Sequence, residues 1–79
     1  MSAIMQKLPR LSGKEVIKIL AKQGFKAIRQ SGSHVFLLKE IPQGKKHTVV
    51  PLHREIDKGT LLEIIRQSGF TKEEFLRLV

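Results

Sequence analysis

Imidazole is the side chain that exchanges protons most readily near neutrality, and the chain holds three: His34, His47 and His53. Intervals of 13 and 6 residues between them match no metal-ligand spacing, so no metal is expected. His47 reads as an exposed strand residue. His34 differs, because it follows a Ser31-Gly32 turn, is preceded by the Ser33 hydroxyl and lies near Arg29. An accessible imidazole held by backbone beside cations suits a general acid or base acting on a phosphodiester. The competing reading is a strand-end histidine making an ordinary hydrogen bond.

The carboxylates narrow the chemistry. Glu15, Asp57 and Glu74 stand where helix caps are expected and Glu63 and Glu73 where helix surfaces are, leaving Glu40 and Glu55 near the strands. That set is too dispersed to hold two magnesium ions, which argues against two-metal hydrolysis. Metal-free cleavage needs a nucleophile within the substrate, and RNA supplies one in its 2′-hydroxyl where DNA does not. Cysteine is absent, which excludes a thiol nucleophile, a thiolate zinc site and a disulfide framework.

Cations form the other half of the pattern. Lys and Arg number 15 against 7 Asp and Glu, a formal charge of +8 and a sequence pI near 10.3, which favours a polyanionic partner. The excess is local. Residues 1–39 hold 8 basic and 1 acidic side chains, net +7, and residues 40–79 hold 7 and 6, net +1.

Lys14, Lys18 and Lys22 recur every four residues and so form one ridge on a helix, either a solvated face or a phosphate track. Arg29, Ser33, Lys45, Lys46, Arg54 and Lys58 are further candidates for RNA contact, provided the fold gathers them at one end of the strands. The start of the helix near Lys58 suits a phosphate and equally suits simple capping by Asp57.

The elements that must position these groups are legible from caps and periodicity. Ser12 and Glu15 form a capping box ahead of the apolar positions Val16, Ile17 and Leu20, predicting a helix from about Gly13 to Gln23, stopped by Gly24. Strands are expected at Lys26 to Gln30, Ser33 to Lys39 and Lys46 to Val50, with turns at Ser31-Gly32 and Pro42 to Lys45 and an end at Pro51. Asp57 caps a second helix from Lys58 to Ser68. Thr71 and Glu74 open a short third helix through Leu78.

The expected fold is α+β, a two-layer α-β-β-β-α sandwich with helices on one face of a three-stranded antiparallel sheet. With 79 residues, one domain over residues 1–79 is expected, its core thin and its active site near the surface. Met1 to Lys7 lacks the apolar stretch of a secretory signal, and no run is long enough to span a bilayer. A cytoplasmic protein without membrane association or small-molecule cofactor is the expectation.

Six short strings, in order, resemble the HicA-type (YcfA-like) toxins of toxin-antitoxin systems. They are LPRLSGKEV from Leu8, Gly24-Phe25, RQSGSH ending at His34, VPLH ending at His53, Gly59-Thr60-Leu61, and GFTKEEF from Gly69. The resemblance implies a fold like that of double-stranded-RNA-binding domains, and an mRNA endonuclease that blocks translation and growth, held inactive by a HicB-type antitoxin. It also implies that His34, in the Gly-Ser-His triplet, is catalytic. His53 is matched too, in a secondary role that the resemblance leaves open. A non-catalytic RNA-binding module and an interaction domain for an acidic protein are the competing function classes.

Overall fold

The computed structural model describes residues 8–79, and the reading of Met1 to Lys7 as free of a secretory signal lies outside the described residues. The element order is α1 (Gly13–Lys22), β1 (Lys26–Ser31), β2 (His34–Ile41), β3 (Gly44–Pro51), α2 (Lys58–Gln67) and α3 (Lys72–Leu76). The strands form one antiparallel sheet in the order β1-β2-β3. This is the α+β arrangement expected from sequence. No helix among the described residues is long and apolar enough to cross a membrane.

Each helix starts where its cap dictates. Ser12 Oγ accepts from the Glu15 amide at 3.1 Å while Glu15 Oε1 accepts from the Ser12 amide at 2.8 Å, and Thr71 and Glu74 repeat the exchange at 3.0 and 2.8 Å. These caps satisfy amides that the first helical turn leaves without partners. Asp57 caps α2 by accepting from the Thr60 amide at 3.1 Å and its hydroxyl at 2.7 Å. Those hydrogen bonds, the hydroxyl first, hold the Asp57 carboxyl below its ordinary value.

The core lies between helices and sheet. Val16 and Leu20 of α1, Leu61, Ile64 and Ile65 of α2, and Phe75 of α3 close on Val35, Leu37 and Val50, with Leu11, Phe25 and Ile56 at its margins. Thr48 is buried with them, and its hydroxyl donates to Gln67 Oε1 at 2.9 Å. Among the described residues no buried side-chain polar atom lacks a partner.

Most element ends differ from the sequence reading by one or two residues, and β2 runs on to Ile41 where an end at Lys39 is expected. The first turn is Gly32-Ser33, because Ser31 pairs with His34. Gly32 has φ +58° and no other residue of the turn has positive φ, the pattern of a II′ hairpin with glycine at its first central position. The second turn is only Pro42-Gln43, so β3 begins at Gly44 rather than Lys46 and includes Pro51, tolerated because β3 is an edge strand. Helix α3 ends at Leu76, short of Leu78, with Arg77 as its C-cap.

Strand β1 also carries a β-bulge. Ala27 pairs with Leu37 and Arg29 with Phe36, leaving Ile28 unpaired and 57% exposed. A one-residue shift exchanges the faces of all later side chains on a strand. Arg29 and Ser31 therefore point away from the helices, where continuous pairing would have turned them toward the core side.

Candidate RNA-processing site

His34 is the first residue of the central strand, exposed, with Ser31 of β1 on one side and Pro51 of β3 on the other. Its neighbours two and four residues on, Phe36 and Leu38, share its side of the sheet, opposite the buried Val35 and Leu37. Among the described residues no helix covers that side.

Backbone contacts fix the His34 end. The Leu52 amide donates to the Ser33 carbonyl at 2.6 Å, joining the segment after β3 to the first turn. The Gly13 amide donates to the His53 carbonyl at 2.9 Å, joining α1 to that same segment. A Cβ on Gly13 would collide with the Pro51 carbonyl oxygen and approach Leu52 Cα to 2.9 Å. Only glycine lets α1 start this close to the strand end.

This junction brings Lys14 beside His53 and Arg54, and with Ser12 and Leu52 they line one surface depression. Lys18 and Lys22 continue along the exposed side of α1, Lys22 about 12 Å beyond Lys14 at the helical rise of 1.5 Å per residue. The ridge expected from sequence is real, and its Lys14 end adjoins the histidine-bearing end of the sheet.

Other candidates stand apart. Lys45 pairs opposite Glu40 at the far end of the β2-β3 hairpin, about 20 Å along the strand from His34 at 3.3 Å per residue. Lys46 is half-buried, its ammonium beside Gly69 at the C-terminal end of α2, where a cation complements the helix dipole. The expectation that these two gather with the other cations is corrected: they follow the second turn, and the hairpin carries them away from the first. Lys58 opens α2 and lines a different depression with Arg10 and Glu55. The start of α2 is occupied by its own Asp57 carboxylate.

The cations at this end of the sheet enter no ion pair among the described residues. Among the described residues the ion pairs are Arg10–Glu55, at 3.8 Å, and Arg66–Glu63. Arg29, Lys14 and Arg54 take part in neither. The described residues bring no three His, Asp or Glu side chains into a metal-binding group. Sequence reasoning missed Phe36, whose ring carries the Arg29 guanidinium 4.3 Å from its centroid. The bulge that creates this contact has no composition or periodicity signal.

A family model described as HicA toxin of bacterial toxin-antitoxin matches residues 13–70. That span runs from the first residue of α1 to just beyond the end of α2. A search of curated proteins finds no match to the chain.

Proposed function

The chain belongs to the HicA toxin family of bacterial toxin-antitoxin systems, and from that premise we propose that it is a metal-independent endonuclease of messenger RNA whose catalytic residue is His34. The observation that carries this reading is the exposed imidazole at the head of the central strand, on a sheet face that, among the described residues, no helix covers, with Lys14, Arg29 and Arg54 in none of the ion pairs of those residues.

In the proposed reaction His34 takes the proton of a ribose 2′-hydroxyl, and the oxygen attacks the adjacent phosphorus. The bond from phosphorus to the 5′ oxygen breaks, and that oxygen receives a proton from a second donor, for which His53, a lysine and water are the candidates. The first products are a 2′,3′-cyclic phosphate and a 5′-hydroxyl, and water can then open the cycle to a 3′-phosphate. Lys14, Lys18 and Lys22 track the backbone on one side, with Arg54 at the histidine end and Ser33 in the turn. Lys45, Lys46 and Lys58 lie outside this cluster, and only a longer RNA would reach them.

A single domain of this kind acts in the cytoplasm, where its substrate is. Its partner is an antitoxin of the HicB type, acidic or electrostatically complementary, which inhibits by covering the open sheet face and His34. Histidine acting as acid or base contributes about 10²- to 10⁴-fold, so His34→Ala should abolish growth arrest and lower cleavage by that factor at an unchanged melting temperature. A folded His34→Ala protein that cleaves RNA normally would overturn the assignment. One that only binds RNA less tightly, beside a wild type that does not cleave, would favour the RNA-binding module.

A further inference from the structure

The open sheet face holds one cation whose direction is fixed by more than its own backbone. Arg29 is turned to that face by the bulge at Ile28, which breaks the pairing between Ala27 and Arg29. Bulges recur beside active sites because they re-aim a side chain. The side chain so aimed does not extend freely into water. Its guanidinium lies over the ring of Phe36, its cross-strand partner, with 4.3 Å from the guanidinium carbon to the ring centroid.

Resting on the nuclease reading, we propose that Arg29 is the group that stabilises the charge developing on the phosphate during cleavage, and that Phe36 is its positioning residue.

The placement supports this in three ways. First, His34 and Phe36 are two residues apart on the same face of β2, a separation of about 7 Å along the strand. Ser31 and Arg29 are their partners on β1. A phosphate lying over these two rows meets an imidazole at one end and a guanidinium at the other. Second, stacking on an aromatic face leaves the guanidinium edge, with its coplanar N–H donors, free for a planar two-point contact to non-bridging oxygens. Lysine is a compact point charge and lacks that fork. Third, Arg29 belongs to neither ion pair among the described residues.

The attacking 2′ oxygen adds to phosphorus before the 5′ oxygen leaves, so negative charge builds on the non-bridging oxygens between the two events. Arg29 meets that charge with hydrogen bonds and transfers no proton, since guanidinium stays protonated. Donors already aimed where charge appears need no reorganisation during the reaction. Phe36 provides that aim, and touches neither substrate nor the reacting atoms in this scheme.

The test is steady-state cleavage of one RNA oligonucleotide by wild type, Arg29→Ala, Arg29→Lys, Phe36→Leu, Phe36→Tyr and the Arg29→Ala/Phe36→Leu double variant, each with its melting temperature. Arg29→Ala should lower kcat about 100-fold, the effect of removing one preorganised donor, with KM nearly unchanged, and Arg29→Lys should recover little of it. Phe36→Leu should lower kcat roughly 5-fold, the upper scale for an exposed cation over a ring, whereas Phe36→Tyr, which keeps the ring, should match wild type. In the Arg29→Ala background Phe36→Leu should have no further effect, the signature of coupled residues.

A raised KM with intact kcat in Arg29→Ala would make Arg29 a simple tether and overturn the proposal. So would Arg29 and Phe36 effects that multiply. His34→Ala, assayed in parallel, separates the two layers: if it is inactive while Arg29→Ala keeps wild-type kcat, this inference fails alone, and if it cleaves normally, the catalytic assignment of His34 on which this inference rests fails.

Discussion

Val35, Leu37, Thr48 and Val50 face the helices and are buried, whereas His34, Phe36, Leu38 and Val49, one step out of phase on the same two strands, are exposed or half-buried. The alternation of a strand puts these sets on opposite sides, and among the described residues only one side has helices to close it. Removing a side chain from the covered face leaves a cavity, because packed surroundings relax only in part. Removing one from the open face leaves water. On the proposed reading, stability and reactivity fall on opposite faces of the same strand, and the histidine can be altered without loosening the core.

Leu37 and His34 make the sharpest contrast. Leu37→Ala should lower unfolding free energy by about 2–5 kcal/mol, a large fraction of the stability of so small a domain, read by denaturant or thermal unfolding. Equal losses of stability in Leu37→Ala and His34→Ala would show that the two faces are not separate.

Gly13 is the point where the faces meet, since α1 abuts the Pro51–Leu52 backbone there, just across from His34. Gly13→Ala inserts a methyl group into backbone that cannot recede as a flexible side chain would. A smaller destabilisation is expected, about 1–3 kcal/mol, the usual cost of overpacking. Unlike Leu37→Ala, it should also reduce cleavage by the fraction that remains folded, because the displaced segment carries His53 and Arg54. A folded Gly13→Ala protein with undiminished activity would show that this junction does not position the site.

How far the sequence discloses this arrangement depends on whether the signal is local. The caps Ser12-Glu15, Asp57 and Thr71-Glu74 are set by side chains three residues from the amides they satisfy, and every one appears in the structure. The order of helices and strands follows from such signals together with the change of apolar period after Gly24. Turn positions are less legible: Ser31 could join the first turn or the first strand, and only pairing with His34 decides it.

The bulge at Ile28 depends on which partner residues β2 offers, so nothing in Lys26 to Ser31 announces it, and the meeting of Arg29 with Phe36 was hidden for the same reason. Lys45 and Lys46 fail differently. Their charge is plain in the sequence, but their distance from His34 is a property of the hairpin, which sends its second turn to the far end of the sheet. Within the candidate site, His34 was legible through its triplet and turn, and Lys14 through its ridge. The closeness of Lys14 to His53 and Arg54 required the Gly13 contact.

The central claim, that the open face supports acid–base cleavage driven by the substrate's own 2′-hydroxyl, is tested most directly by the termini it leaves. The wild-type protein is incubated with an RNA oligonucleotide, and with the same sequence carrying 2′-deoxyribose throughout, in buffer containing EDTA, and the products are identified by mass spectrometry. The account predicts 2′,3′-cyclic phosphate or 3′-phosphate ends with 5′-hydroxyls from the RNA, and no cleavage of the deoxy substrate. Products with 3′-hydroxyl and 5′-phosphate ends, or cleavage of the deoxy oligonucleotide, would contradict it.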